Sequence, residues 1–211
     1  MIVAFDHLVV AAATLGQGEQ HVETLLGARP QRGGKHVAMG THNSLLKLGP
    51  RNFLEVIAID PEGVAPARPR WFALDGPAMR GALAETPRLI HWVARTDDIE
   101  AAHRGSRIDL GRIEPVERGS FRWRITIPDD GHLPGEGLVP TLIQWSDARH
   151  PADTLPESGV HLATLAGAHP QPAEIRAALA ALGLGDTVKV TFAATPRVAA
   201  LLRTPRGPVT L

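Results

Sequence analysis

Apolar positions along this chain come in short runs, broken by glycine- and proline-rich turns and spaced by amphipathic stretches. Ile2–Ala12 is rich in β-branched and apolar residues, the pattern of a strand buried on both faces. Thr14 then opens a helix with Gln17 at capping-box spacing, a stripe of Val22, Leu25 and Leu26, and Gly27 just past its end. Arg29–Lys35 reads as a polar, glycine-rich loop. It is followed by strands at His36–Met39, Ser44–Leu48 and Phe53–Ile59, with turns at Gly40 and Gly49–Asn52. Residues 1–60 therefore predict a β-α-β-β-β module. A proline-, glycine- and arginine-rich connector, 61–87, carries Arg70-Trp71-Phe72, an apolar pair expected to cover something.

The order then repeats over residues 88–150. Arg88–Arg95 reads as a strand, Thr96–Glu100 as a helix start with Asp97 and Glu100 at capping-box spacing, and Ser120–Ile127 and Val139–Trp145 as strands. Phe5–Ala11 lies over Leu89–Arg95, which sets His91 84 positions after His7; Phe53–Val56 lies over Leu142–Trp145, which sets Gln144 over Glu55. A third, degenerate β-α-β-β-β copy is expected over 157–211. Its helix is Pro172–Leu182 and its strands Val188–Ala193, Arg197–Leu202 and Val209–Leu211, the last two limited by prolines to short or edge strands. The fold class is thus α+β, with tandem modules and a third at the C-terminus. An odd module either packs on the flank of the pair or meets its copy in a homodimer.

Composition narrows the function. Lysine plus arginine and aspartate plus glutamate both number 22, a neutral balance that argues against nucleic acid and against a polybasic membrane-surface protein. With no cysteine, disulfides and thiolate chemistry are excluded. At 44% apolar the chain can bury a core, yet no run approaches the roughly 20 residues of a membrane helix. The first residues, Met1–Asp6, show no basic start of a secretory signal, so a cytoplasmic protein with a small-molecule partner is expected. No phosphate loop, Gly-x-Gly-x-x-Gly, His-Glu-x-x-His or Gly-x-Ser-x-Gly element is present.

Candidate chemistry sits at the matched positions. His7, His91, Glu55 and Gln144 interrupt strands that otherwise read as apolar, where a polar side chain costs free energy unless partnered. Alternation lets all four face one interior. Two imidazoles, a carboxylate and an amide oxygen suit a divalent ion such as zinc, nickel, manganese or ferrous iron. His161 matches His7 in the third copy but lacks an acidic partner and reads as structural. His36 stays unassigned, and His21, His103, His132, His150 and His169 read as surface residues.

Phe5-Asp6-His7-Leu8-Val9, Gly40-Thr41-His42-Asn43, Asn52-Phe53-Leu54-Glu55, Arg70-Trp71-Phe72 and Trp92-Val93-Ala94-Arg95-Thr96, in this order, resemble the glyoxalase-like domain family. That family lies within the vicinal oxygen chelate superfamily, with glyoxalase I, extradiol dioxygenases and bleomycin-resistance proteins. The resemblance implies two curved sheets enclosing a metal-centred cavity, with His7, Glu55, His91 and Gln144 at the ligand positions. It implies a lyase, isomerase or dioxygenase acting on a small oxygenated compound, or a non-catalytic binding protein of the bleomycin-resistance type. Glutamine cannot accept a proton at neutral pH, so proton-transfer chemistry makes Glu55 the catalytic base. Ring-cleaving dioxygenases use two histidines and a carboxylate, a count that His7, His91 and Glu55 meet. His42, Asn43 and Trp145 are expected at the substrate. Arg122 and Arg124 share a face that suits an anionic one.

Overall fold

The computed structural model describes residues 1–211. Strand β1 (Val3–Ala11) leads into helix α1 (Leu15–Leu26), whose first turn is capped by Thr14 Oγ1 accepting the Gln17 N–H at 3.2 Å. Gly27 closes the helix at φ 70°, a left-handed conformation that glycine adopts without a Cβ penalty. Strands β2 (Gln31–His36), β3 (Thr41–Gly49) and β4 (Asn52–Ile59) complete the module. The glycine-rich segment expected to be a loop is thus strand β2, and Val37–Met39 is a single 3-10 turn. Within the connector, Trp71–Ala73 forms another such turn, followed by helix α2 (Pro77–Glu85), where a proline- and glycine-rich link was expected.

The second module runs through β5 (Arg88–Thr96), α3 (Ile99–Gly105), β6 (Arg112–Arg118), β7 (Phe121–Ile127) and β8 (Thr141–Trp145). Asp98, one residue beyond the expected Asp97, caps α3 by accepting the Ala101 N–H. All eight strands form one sheet in the order β2-β3-β4-β1-β5-β8-β7-β6. Each module pairs its first and last strands in parallel, and the antiparallel pair β1/β5 joins the modules at the centre. The sheet curls until its two edge strands, β2 and β6, lie against each other.

Alternation along the strands divides the apolar residues between two layers. Leu8, Val10, Leu54, Val56, Trp92 and Leu142 point outward and share a core with α1, α3 and the C-terminal unit. Val9, Ala11, Ile57, Val93, Ile125 and Ile143 point inward, where Trp71, Phe72 and Leu74 from the connector fill the cup.

The C-terminal unit has the expected element order: β9 (His161–His169), α4 (Pro172–Ala181), β10 (Val188–Phe192), β11 (Arg197–Thr204) and β12 (Gly207–Thr210). Its strands pair differently, in the order β10-β9-β11-β12. The strand parallel to β9 is β10, directly after the helix, whereas in the other modules it is the last strand. A short return from α4 seats β10 beside β9 as a simple βαβ crossover. The unit packs on the flank of the pair, where Gly167 admits Leu138 so closely that a Cβ there would lie 1.8 Å from its Cδ2. No helix is long and apolar enough to cross a membrane.

Candidate functional site

Two β-bulges set the geometry of the cup. Strand β1 carries one extra residue, Asp6, between Phe5 and His7, and β5 carries one, Ile90, at the matching place. A bulge breaks the alternation and lets neighbouring residues face the same side. Asp6 and His7 therefore meet: the His7 Nδ1–H donates to Asp6 Oδ1 at 2.7 Å. Phe5 is turned to the outer layer against Trp92, so it does not share the face of His7.

Asp6 is fully buried and accepts two further bonds at Oδ2, from Trp145 Nε1 at 3.0 Å and His150 Nε2 at 3.2 Å. The Ala152 N–H donates to His150 Nδ1, which leaves the His150 proton on Nε2, toward Asp6. Burial by itself would raise the Asp6 pKa. The hydrogen bonds from His150 and His7 outweigh it and hold the carboxyl well below the ordinary range. His150, read from the sequence as a surface residue, is completely buried and belongs to the site.

With Nδ1 committed to Asp6, His7 turns Nε2 toward Glu55, whose Oε2 lies 3.8 Å away. That is too long for a direct hydrogen bond and short enough for one shared atom to bridge. The other Glu55 oxygen accepts from Asn43 Nδ2 at 2.5 Å. Asn43 is fully committed: its amide N also reaches His36 Nε2 (3.4 Å), and its Oδ1 accepts from the Gly34 N–H (3.1 Å) and Arg118 Nη1 (2.8 Å). His36 is buried, with Nδ1 on Thr41 Oγ1, and burial, helped by the Arg118 charge, pushes its pKa down to about 3. His7, His36, Asn43, Glu55 and Arg118, with Phe53, Trp71, Phe72, Trp123 and Trp145, line a cavity of ≈ 30 Å³.

The second module's half of the cup is different. Register pairs Val9 with Glu55 on β1/β4 and Val93 with Thr141 on β5/β8, so Thr141, not Gln144, holds the position equivalent to Glu55. The two positions differ by three, an odd number, which puts Gln144 on the outer face. There its Oε1 accepts from the Ile99 N–H and Arg124, and its Nε2 donates to Asp97 O. His91 is completely buried under Phe72, with ring centroids 5.5 Å apart. Its Nε2 accepts the Thr141 N–H at 3.1 Å and its Nδ1 donates to Gly137 O at 3.2 Å. Burial lowers its pKa to about 3, against the opposing pull of Gly137 O.

The metal expected from the family resemblance does not fit these donors. The lone pair of His91 Nε2 is taken, Gln144 faces away, and Thr141 replaces a carboxylate. No group of three or more His, Asp or Glu side chains is arranged to hold an ion. Of the four residues expected as ligands, the fold brings together His7 and Glu55 only.

The residues expected at the substrate divide as well. Asn43 and Trp145 line the cavity. His42 lies on the other face of β3, 4.0 Å from Asp60. Arg122 is exposed against Glu117, and Arg124 pairs with Glu100. Their neighbour Trp123 is the cavity residue. Asp6, His36, Arg118 and His150 were missed. One usable signal was the Gly33-Gly34 pair, since glycines within a strand mark close approach. A Cβ on Gly33 would lie 2.2 Å from Asn43 Oδ1, and one on Gly34 would lie 3.0 Å from Arg118 Cδ.

Comparison with known proteins agrees with this architecture. The family model of the glyoxalase-like domain matches residues 5–183. A hypothetical protein from Staphylococcus aureus is similar in structure, with a TM-score of 0.65 at 13% identity over 93% of this chain and 88% of its own. Methylmalonyl-CoA epimerase from Mycobacterium tuberculosis is similar at 18% identity, with a TM-score of 0.42 over 69% of this chain and 89% of its own. A hypothetical protein from Bacillus halodurans gives 11% identity and a TM-score of 0.45 over 71% of this chain and 98% of its own. No curated protein sequence matches the chain. The match over most of its length, on paired β-α-β-β-β modules, places the chain in the glyoxalase-like domain family.

Proposed function

We propose that the chain is an isomerase or lyase that moves a proton on a small oxygenated compound, with His7 as the base, Asp6 as its positioning residue and Glu55 beside the reacting atoms. The observation that carries this reading is the buried Asp6–His7 bond of 2.7 Å, which leaves the Nε2 lone pair directed at Glu55 inside the cavity. A buried carboxylate on Nδ1 fixes the tautomer and stabilises the imidazolium once Nε2 has taken a proton. A C–H bond next to a carbonyl breaks, its electron pair enters the enolate, and the proton resides on His7 Nε2. Its return to another face or atom gives isomerisation; departure of a β-substituent gives elimination. Glu55, held by Asn43, is less free to serve as the base than the sequence suggested. The commitment of His91 Nε2 to the Thr141 N–H speaks against a dioxygenase triad of His7, His91 and Glu55.

The non-catalytic alternative draws support from the small, aromatic-walled cavity, which suits sequestration of a compact ligand. Solvent-exchange NMR separates the two. In deuterated buffer, the protein is incubated with pyruvate, lactate, glycolaldehyde and hydroxyacetone. Deuterium entering a carbon position faster than in buffer, and lost in His7→Gln, supports catalysis. Binding without exchange for every compound overturns it in favour of sequestration.

A further inference from the structure

We propose that Arg118 and the indole N–H groups of Trp71 and Trp123 form an anion-holding wall, which makes the substrate a two- or three-carbon carboxylate. The proposal rests on the reading of His7 and Glu55 as the reacting pair and names the class of compound presented to them.

Arg118 ends strand β6 and reaches into the cup from the second module. It has no carboxylate within ion-pair distance, and the one side chain it donates to is Asn43, at 2.8 Å. Burial works against its charge, with only the more distant Glu55 favouring it. Arg70, by contrast, is paired with Asp75, and Lys35 with Asp60. A guanidinium kept largely from water without a counter-ion is a site in want of an anion, and its planar fork matches a carboxylate.

The indoles point the same way. Trp71 and Trp123 both line this cavity, both are buried, and neither Nε1 has a hydrogen-bond partner. Buried donors are nearly always paired, so two orphans on one small cavity mark a place for an acceptor. Gly33 and Gly34 show that the approach is built: the backbone is stripped of Cβ atoms where Asn43 and Arg118 pass. The two native carboxylates do not compete for this wall. Asp6 has three donors of its own and Glu55 is held by Asn43. The cavity is small, ≈ 30 Å³, which limits the ligand to the shortest organic carboxylates, with one or two further carbons.

The test is an NMR titration of ¹⁵N-labelled protein, reading the Trp71 and Trp123 indole resonances, assigned through Trp71→Phe and Trp123→Phe. The probes are lactate, its neutral isostere lactamide, and inorganic phosphate, at constant ionic strength. Lactate is expected to shift both indoles saturably and to bind at least about tenfold more tightly than lactamide or phosphate. Arg118→Gln should remove that preference, and Arg118→Lys, which keeps the charge and the fold, should retain part of it. Lactamide or phosphate binding as well as lactate, or unchanged lactate affinity in a folded Arg118→Gln, overturns the proposal. If wild-type protein binds lactate but shows no exchange, the anion wall stands and the proton-transfer reading falls.

Discussion

Replacing Asp6 by asparagine removes a charge and one acceptor without changing the volume of a completely buried side chain. Three donors converge on that carboxylate: His7 Nδ1, Trp145 Nε1 and His150 Nε2. If the asparagine oxygen stays with Trp145 and His150, its NH₂ faces His7 Nδ1. His7 must then accept there, and its proton moves to Nε2, toward Glu55. Hydrogen bonds to a charged group contribute about 1.5–3 kcal/mol and neutral ones about 1, so three weakened bonds cost roughly 2–5 kcal/mol. For a domain of this size each kcal/mol lowers Tm by about 2–4 °C, giving a drop of roughly 4–20 °C. Urea unfolding gives the free energy, and a long-range ¹H–¹⁵N spectrum of the imidazoles gives the tautomer. A loss below about 1 kcal/mol, with the His7 proton still on Nδ1, would refute the role assigned to Asp6.

Acid should weaken the fold. His36 and His91 are pushed to about 3 in the folded state, from an ordinary 6.5, so the unfolded chain binds their protons first. Their contribution is complete above about pH 6.5 and is lost as pH falls toward 3, at up to about 1.4 kcal/mol per pH unit for each. Urea midpoints from pH 7 to pH 4 check this, and a flat profile contradicts it. Gly33→Ala places a methyl 2.2 Å from Asn43 Oδ1 and should cost about 1–3 kcal/mol, whereas Gly16→Ala, which meets open space, should be neutral or stabilising. Thermal melts of the pair decide. Gln144→Ala should lower stability by about 1–2 kcal/mol, because the Ile99 N–H at the start of α3 loses its acceptor, and should leave lactate binding unchanged. Loss of binding in a folded Gln144→Ala would return that residue to the cavity.

The sequence exposed one half of the site better than the other. His7 and Glu55 were legible because polar residues in apolar strands stand out, and the paired copies with Thr14 and Gly27 as helix caps gave the module. Asp6 was hidden by the bulge: strict alternation assigns it to the face opposite His7, and only the extra residue in β1 brings the two together. His150 approaches Asp6 from 144 residues away through a buried turn that reads as a polar joint. Gln144 was misplaced because gapless overlay of short motifs fixes neither register nor parity, and strand pairing moves the match to Thr141. Strand β6, and Arg118 with it, went unseen because Pro115 and four charged residues mask its alternation; Pro115 is tolerated on an edge strand. The Trp71–Phe72 pair was legible as a cover, though not as what retires His91 from the cavity.

Selective ¹⁵N-histidine labelling tests the unequal halves of the cup most directly. At about pH 8, with zinc chloride titrated in, the neutral His7 and His91 rings should both carry the proton on Nδ1. The His7 Nε2 signal should move when Glu55 is changed to glutamine, while His91 Nε2 should ignore both that change and the metal. One equivalent of zinc shifting the Nε2 signals of His7 and His91 together would contradict the assignment of His7 alone to the chemistry.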